Sequence, residues 1–223
     1  MSSPVCVLLS GGLDSNLLVH RLLQRGVHAA PFYLRCGFRW EEAELYWLRR
    51  FLHAIRSPRL RPLRLMELPV RSLYGAHWSV TGRGVPSARS ADAAVYLPGR
   101  NVLLVSCAAI ACAQEKIRTI ALGILRGNPF GDASPHFFRS LGRCLSLALG
   151  RPLRIMTPLS RFTKTEVIRS THDAPLELTF SCLRPSGLRH CGRCNKCAER
   201  MRAFRAARTP DPTDYADGRR RHV

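Results

Sequence analysis

The segment Ser10-Gly11-Gly12-Leu13-Asp14-Ser15 follows directly on a short apolar run at residues 5–9. Such a run predicts a buried β-strand, and the two glycines allow the chain to turn tightly after it. Apolar residues then recur at helical spacing over residues 16–23, and Gly26 gives the expected C-terminal cap. The segment at 10–15, called the glycine loop below, is therefore predicted to join the first strand of an α/β fold to a helix.

Four further strands and four further helices are predicted from the same kinds of pattern. The strands are expected at residues 27–34, 63–68, 117–123 and 153–156. The helices are expected at residues 40–55, 101–116 and 134–149, and the capping box Thr163-Lys164-Thr165-Glu166 opens another. Residues 69–99 show no clear period and are predicted to form a long loop with room for a short helix. Because strands and helices alternate, we expect an α/β fold with a doubly wound, mainly parallel five-stranded sheet.

The glycine loop also has the properties of an anion site. Two glycines let the backbone approach a ligand closely, and the N-terminus of the following helix directs free N–H groups toward it. Ser10 and Ser15 add hydroxyl donors, while Asp14 is expected to cap the helix or to help hold Mg²⁺. The segment matches neither the Walker A pattern nor G-x-G-x-x-G. A phosphate site is the favoured interpretation, and an ordinary strand-to-helix turn is the alternative.

Four of the nine cysteines form the pattern C-x8-C-x2-C-x2-C. Two residues between ligands let both thiolates reach one ion, and four thiolates suit tetrahedral Zn²⁺ in a closed, structural site. An iron–sulfur cluster is the competing interpretation. The predicted metal ligands are Cys182, Cys191, Cys194 and Cys197. The other five cysteines lie among apolar residues, as buried thiols do.

Length and charge limit the possible classes of protein. The chain has 223 residues, enough for one sizeable domain, and no apolar run reaches the roughly 18 residues of a membrane span. No signal-peptide pattern is present, so a cytoplasmic location is expected. The net charge of +20 invites a nucleic-acid partner, but all except three of the 35 basic residues are arginines spread along the chain. A nucleic-acid partner is therefore possible but not favoured.

The glycine loop and the cysteine pattern, in this order, resemble the 7-cyano-7-deazaguanine synthase family of the PP-loop ATP pyrophosphatases. Segments between them agree with that family over roughly residues 5–205. The matching segments are Leu97-Pro98-Gly99-Arg100-Asn101, Thr157-Pro158-Leu159 with Lys164 and Glu166, Phe180-Ser181-Cys182, and the residues from Cys191 to Cys197. The resemblance implies an adenine nucleotide alpha hydrolase-like fold.

The resemblance also implies an activity. Family members adenylate 7-carboxy-7-deazaguanine with ATP, releasing pyrophosphate. Ammonia then displaces AMP to give an amide, whose oxygen is activated in turn to give the nitrile. By this resemblance the chain is an ATP-dependent carbon–nitrogen ligase of queuosine biosynthesis, with ATP and Mg²⁺, structural Zn²⁺, a small deazapurine substrate and a homodimeric assembly.

Site residues carry over by position. The expected catalytic residues are Asp14, Ser15 and Lys164, with Lys164 neutralising charge as pyrophosphate leaves. The expected ATP-binding residues are Leu9, Ser10, Gly11, Gly12, Leu13, Asp14, Ser15, Asn16, Leu17, Leu18, Val19, Arg100, Asn101 and Lys164. The expected substrate residues are Arg39, Phe130 and Asp132.

The domain division follows from these assignments. Residues 1–175 are predicted to form the nucleotide-binding domain. Residues 176–208 form a zinc-binding segment that ends in a short basic helix. Residues 209–223 are expected to form a flexible tail.

Two segments depart from the family pattern. The usual G-Q-R-H segment reads Gly37-Phe38-Arg39-Trp40, and the usual S-G-Y-P-D-C-R segment is replaced at residues 127–133, where Phe130 and Asp132 keep a ring and an acid. A related adenylating enzyme acting on a tRNA base, a DNA base or a protein is therefore an alternative. A sulfur-transfer role for Cys36 and a non-catalytic, zinc-stabilised nucleic-acid-binding protein are further alternatives.

Overall fold

The computed structural model describes residues 3–171 and 173–218. The strands are β1 (Val5–Leu8), β2 (Ala29–Arg35), β3 (Arg64–Glu67), β4 (Thr119–Leu122) and β5 (Arg154–Met156). The helices are α1 (Leu13–Gln24), α2 (Glu41–Ala54), α3 (Arg71–Tyr74), α4 (Trp78–Thr81), α5 (Arg100–Gln114), α6 (Pro135–Ala148), α7 (Lys164–Ser170) and α8 (Asn195–Ala207). Single 3-10 turns lie at Asp92–Val95, Gly131–Ala133 and Leu176–Leu178.

The five strands form one parallel sheet in the order β3-β2-β1-β4-β5. Side chains alternate between two cores along β1: Cys6 and Leu8 pack on one face, and Val7 and Leu9 on the other. The central strands are apolar on both faces because both are covered by helices. The predicted doubly wound parallel sheet is confirmed.

The helices divide between these two faces. Helices α5 and α6 supply Val105, Ala108 and Phe138 to the core that contains Cys6 and Leu8. Helices α1, α2, α7 and α8 supply buried side chains to the opposite core, among them Leu17, Phe51, Val167 and Phe204. Strand β1 lies at the centre, where the chain first builds the sheet toward β3 and later toward β5. This switch point leaves a crevice at the carboxyl ends of the strands.

Gly123 allows helix α1 to approach the end of strand β4 closely at that crevice. Gly123 follows β4, and a Cβ atom placed on it would lie 2.8 Å from the backbone of Asp14 and Ser15 at the start of α1. Real Cβ contacts are not that short, so any larger residue would push α1 away from β4. The glycine therefore allows the glycine loop to lie directly beside the end of β4.

The predicted loop at 69–99 contains more structure than its sequence pattern indicated. It holds the single-turn helices α3 and α4 and the 3-10 turn Asp92–Val95. Trp78 stacks on Trp40, with 5.6 Å between the ring centroids, and Tyr74 stacks on Phe38 at 6.4 Å. These turns are stabilised by aromatic contacts with a distant segment, which no local periodicity reveals.

The prediction of a flexible tail is corrected for residues 209–218, because these residues pack against α8 and the cysteine segment. Tyr215 is only 3% exposed, and the backbone N–H of Ala216 donates to the carbonyl of His190 at 2.8 Å. The buried guanidinium of Arg200 donates to Thr213 Oγ1 at 2.5 Å. A buried charge needs such partners, so the chain is held after α8. Residues 219–223 of the expected tail lie outside the described residues.

The boundary at residue 175 stays a prediction. Helix α8 of the predicted zinc-binding segment contributes Ala203 and Phe204 to the same core as α1 and α7. In the part of the chain that the structure describes, no helix combines the length and the apolar character needed to cross a membrane.

Candidate active site

A cavity of about 280 Å³ opens at the carboxyl ends of β1, β2 and β4. Its lining includes the glycine loop with Lys164 and Lys196, which together are called the phosphate end below. It also includes Asn101 of α5 and the loop that contains Phe130 and Asp132, called the acceptor end, and Arg100 at the start of α5. The cavity therefore brings together most of the site residues predicted from the sequence.

The glycine loop is held by contacts within and behind it. Ser15 Oγ accepts from the Ser10 N–H and donates to the Gly12 carbonyl, both at 3.2 Å. Gly11 has a φ of +67°, and a Cβ atom there would lie 3.0 Å from the Glu44 carbonyl. No side chain caps α1 at Gly12. The first-turn N–H groups of α1 thus have no side-chain acceptor, which suits an anionic ligand.

Lys164 lies beside the glycine loop because α7 begins there, fixed by the capping box of Thr163 and Glu166. Its Nζ is 3.2 Å from Asp14 Oδ2 and also contacts Glu199. Burial alone would lower the pKa of Lys164, but the carboxylates of Asp14 and Glu199 raise it above its usual value. The ammonium group is therefore charged at neutral pH.

Asp14 has a second oxygen available. Burial raises the pKa of its carboxyl, and the nearby Lys164 opposes that shift. Asp14 Oδ2 faces Lys164, whereas Oδ1 is buried without a hydrogen-bond partner. An uncompensated buried carboxylate oxygen beside a predicted phosphate site fits a ligand for a phosphate-associated cation.

The acceptor end of the cavity is fixed by hydrogen bonds and by a ring contact. Asp132 Oδ2 accepts from the backbone N–H of Asn101 at 3.1 Å, and the Asn101 amide donates to the Asp132 carbonyl at 2.8 Å. Asp132 thereby satisfies one of the free N–H groups at the start of α5. Phe130 stacks on Tyr96, with 5.0 Å between the ring centroids. Both residues line the cavity, as the sequence predicted.

The wall next to β2 was not predicted. It consists of the stacked rings of Phe38, Trp40 and Trp78 and of the buried carboxyl groups of Glu41 and Glu44. Acidic residues in the first turn of a helix are ordinarily explained by the helix dipole alone, so the sequence did not indicate a site here. Their spacing could have indicated the site, because residues three apart lie on the same face of a helix. Glu41 and Glu44 both lie on the buried face of α2, and Glu42 does not.

Six of the residues predicted to bind ATP or the substrate do not line the cavity. Gly11 lies behind the loop against α2, and Asn16, Leu17, Leu18 and Val19 are buried further along α1. Helix geometry explains this, because only the first turn of α1 faces the crevice. Arg39 is exposed and packs on Gly82, since successive side chains point to opposite sides and Phe38 and Trp40 point inward.

The four clustered cysteines form a metal-binding arrangement. Their sulfur atoms all lie within 4.8 Å of one another. The sulfur–sulfur distance is 4.0 Å for Cys182 and Cys194, 3.9 Å for Cys191 and Cys197, and 3.5 Å for Cys194 and Cys197. A tetrahedron with metal–sulfur bonds of about 2.3 Å has sulfur–sulfur distances of about 3.8 Å. Backbone N–H groups of Leu183 and Cys191 donate to two of the sulfurs, which favours thiolates. The cluster can hold a metal ion.

This cluster is joined to the cavity. Cys182 lines the cavity, and the preceding Phe180 donates its N–H to the Gly11 carbonyl at 2.7 Å. The cysteine segment therefore supports the glycine loop directly. Cys36, in contrast, is buried outside the cavity lining, and burial raises the pKa of its thiol to about 12. A thiol that stays protonated gives no support to sulfur transfer.

The sequence model of the family described as "Queuosine biosynthesis protein QueC" matches residues 4–208. The chain belongs to this family. A 7-cyano-7-deazaguanine synthase from Anaeromyxobacter sp. (strain Fw109-5) is 31% identical to it over 224 residues, with 94% of each chain covered. The 7-cyano-7-deazaguanine synthase of Methanothermobacter thermautotrophicus (strain Delta H) is 27% identical, covering 94% of this chain and 98% of the relative.

A solved structure shares the fold of this QueC-family chain. It is described as a 4-thiouridine synthetase–RNA complex with bound ATP, and it superimposes with a TM-score of 0.51 at 19% identity. The match covers 92% of this chain and 50% of the other. The PP-loop type of fold expected from the glycine loop is confirmed.

Proposed function

We propose that this chain is an ATP-dependent ligase that converts 7-carboxy-7-deazaguanine to 7-cyano-7-deazaguanine, with ammonia as the nitrogen source. The observation that carries the proposal is the shared cavity. Its lining combines the glycine loop and Lys164 with an aromatic ring and a carboxylate, and this supports the proposal in a chain whose relatives are named 7-cyano-7-deazaguanine synthases.

At the phosphate end, the glycine loop and the start of α1 bind the β- and γ-phosphates of ATP. Lys164 neutralises the charge that develops as pyrophosphate leaves, and Asp14 Oδ1 is the candidate ligand for Mg²⁺. Arg100 supports this role, because it lines the cavity and its Nε is buried without a hydrogen-bond partner. A polyphosphate provides the acceptor that such a group lacks.

At the acceptor end, Phe130 stacks on the deazapurine ring and Asp132 Oδ1 accepts its amino hydrogens. A substrate carboxylate oxygen attacks the α-phosphorus of ATP, and pyrophosphate leaves. Ammonia attacks the acyl carbon and expels AMP. The amide oxygen then attacks the α-phosphorus of a second ATP and pyrophosphate leaves. Loss of AMP and of both nitrogen protons gives the nitrile. Charge development at the phosphates is met by Lys164 in both activations.

The cysteine cluster holds Zn²⁺ in this proposal. Four thiolates complete a tetrahedral shell and leave no open position, so the metal stabilises the fold and takes no part in the reaction. Reduced cysteines require a reducing compartment, which agrees with the expected cytoplasmic location. We further propose a homodimer. Ile110 of α5 and Leu147 of α6 support it, because both are exposed apolar residues on helices that cover the same face of the sheet.

The proposal is tested by incubating purified protein with ATP, Mg²⁺, 7-carboxy-7-deazaguanine and ¹⁵N-ammonium. We expect AMP, pyrophosphate and a nitrile that carries one ¹⁵N atom, each identified by mass spectrometry. Formation of ADP and phosphate would contradict the PP-loop chemistry. Formation of AMP without any dependence on the carboxylate would leave ATP activation in place and remove this acceptor.

A further inference from the structure

Glu44 lies at the centre of the cavity wall beside the glycine loop. Its side chain lines the cavity, and the residue is only 8% exposed. The backbone carbonyl of Glu44 would lie 3.0 Å from a Cβ atom on Gly11. Glu44 therefore lies against the loop that is proposed to bind ATP, and it lines the same cavity.

The other carboxyl groups of the cavity are already engaged. Asp14 faces Lys164, Glu41 accepts from the backbone N–H of Cys36, and Asp132 accepts from the backbone N–H of Asn101. Glu44 Oε2 accepts from the hydroxyl of Tyr33 at 2.8 Å. Glu44 is therefore the lining carboxylate that neither pairs with a lysine nor holds a backbone N–H group, and the described lining contains no histidine.

The proposed reaction needs a proton acceptor at this place. Ammonium is the dominant species of ammonia at neutral pH, and it has no lone pair with which to attack a carbonyl carbon. Water in the cavity would hydrolyse an acyl-adenylate, so water has to be excluded there. A protein side chain is then needed to accept the ammonium proton inside the cavity. Trp40 and Trp78 line the same cavity, and aromatic rings of this kind attract a small cation.

We propose that Glu44 binds the ammonium ion and accepts its proton, so that ammonia is released beside the acyl carbon. The ammonium N–H bond breaks and the proton moves to the Glu44 carboxylate. The freed lone pair forms the carbon–nitrogen bond, the bond from carbon to the AMP oxygen breaks, and AMP leaves with that electron pair. The surplus nitrogen proton leaves with the AMP phosphate as the amide forms. This inference rests on the proposed function.

The surroundings of Glu44 agree with this role. Burial raises the pKa of Glu44 to about 8, and the positive charge of Arg100 opposes that shift. The titratable and charged groups that act on it are Arg100 from α5, Glu41 from its own helix and Tyr33 from β2. At neutral pH a carboxyl group of this pKa is largely protonated, and the positive charges of Arg100 and of a bound ammonium ion favour its carboxylate form. In that form it is a better proton acceptor for ammonium than an exposed carboxylate, since proton transfer is efficient between groups of similar pKa.

The test separates activation from amide formation in one variant. Glu44→Gln keeps an acceptor for the Tyr33 hydroxyl and loses the basic oxygen. Without ammonium, exchange of labelled pyrophosphate into ATP, dependent on 7-carboxy-7-deazaguanine, is expected to stay within about threefold of wild type. Amide and nitrile formation from ammonium is expected to fall by about 100-fold or more. The matched control is Glu42→Gln, an exposed residue of the same helix that pairs with Arg35.

Hydroxylamine provides the decisive arm, because it is a neutral nucleophile at neutral pH and needs no base. Glu44→Gln is expected to form the hydroxamate at nearly the wild-type rate. A hydroxamate rate that falls as far as the amide rate would overturn the inference, as would an unchanged amide rate. Absence of pyrophosphate exchange in the wild-type protein would instead contradict the proposed function, independently of Glu44.

Discussion

The two ends of the cavity are built in different ways. The phosphate end is formed mainly by one continuous segment, residues 10–15, with Lys164 and Lys196 beside it, and the side-chain hydrogen bonds of Ser10 and Ser15 run within the loop. The acceptor end is assembled from segments that are far apart in sequence: the end of β2 with α2, the loop before α5, and the loop after β4. Function at the first end is encoded in local sequence, and function at the second depends on tertiary packing.

This difference has a consequence for variation. A continuous loop at a strand-to-helix turn tolerates few changes, because its backbone conformation and its ligand contacts depend on the same residues. An assembled pocket can exchange side chains on one segment while the others keep their place. Phe38 and Trp40 depart from the family's G-Q-R-H pattern, yet both rings line the cavity and stack on each other. The departures lie at the assembled end.

The largest effect is expected where one change disturbs both ends. Cys194→Ser leaves an incomplete metal shell, and metal binding is expected to contribute folding energy outright. Because Phe180 contacts Gly11 and Cys182 lines the cavity, both ends lose their support. We expect mostly insoluble protein, whereas Cys144→Ser, at an exposed cysteine outside the cluster, should remain soluble.

Metal analysis accompanies that comparison. The wild-type protein should contain about one zinc per chain, the number that a single four-thiolate shell accommodates, and no iron chromophore. Iron in stoichiometric amount, or a well-folded metal-free protein, would contradict the structural zinc site.

A change confined to the phosphate end should abolish activity without unfolding the chain. Asp14→Ala and Ser15→Ala remove the oxygens beside Lys164 and Ser10, and neither side chain packs in an apolar core. We expect formation of AMP and pyrophosphate to fall by about 100-fold or more, as for loss of a group that stabilises transition-state charge. The melting temperature should be close to that of wild type. Full activity in either variant would remove the glycine loop from the mechanism.

Gly123→Ala tests the close approach of helix α1 to the end of strand β4. The added methyl group would lie 2.8 Å from the backbone of Asp14 and Ser15, and such overpacking costs about 1–3 kcal/mol. We expect a melting temperature lower by several degrees and a raised KM for ATP. Gly142→Ala is the matched control, because its new Cβ would meet Ile155 at an ordinary 3.6 Å. Equal stability of the two variants would contradict the close approach.

The smallest effects are expected at the acceptor end. Phe130→Ala removes a stacking surface worth about 1–3 kcal/mol per base, so KM for the deazapurine should rise about tenfold. Asp132→Asn keeps an oxygen for the Asn101 N–H and removes the charge. In both variants KM for ATP should change little. A parallel rise in both KM values would place these residues at the nucleotide instead of the deazapurine.

The features that were predicted from the sequence all depend on local spacing in the chain. The order of strands and helices, the glycine loop and the four cysteines each depend on residues close together in the chain, so their spacing carries the information. Glu44 and the packing of Trp78 on Trp40 depend on contacts between distant segments, which no spacing encodes. The packing of Tyr215 and Thr213 could not be predicted, because a polar segment at the end of a chain is expected to be solvated. The hydrogen bond from Arg200 to Thr213 forms only in the folded chain.

The most direct test of the central claim follows the oxygen atoms of the substrate. We propose that the carboxylate is activated as an adenylate and the amide in the same way, so each substrate oxygen departs on AMP. With both carboxylate oxygens of 7-carboxy-7-deazaguanine labelled as ¹⁸O, mass spectrometry should find one labelled oxygen in each AMP molecule released and none in pyrophosphate. Label in inorganic phosphate or pyrophosphate, or unlabelled AMP beside labelled water, would contradict adenylation at the glycine loop.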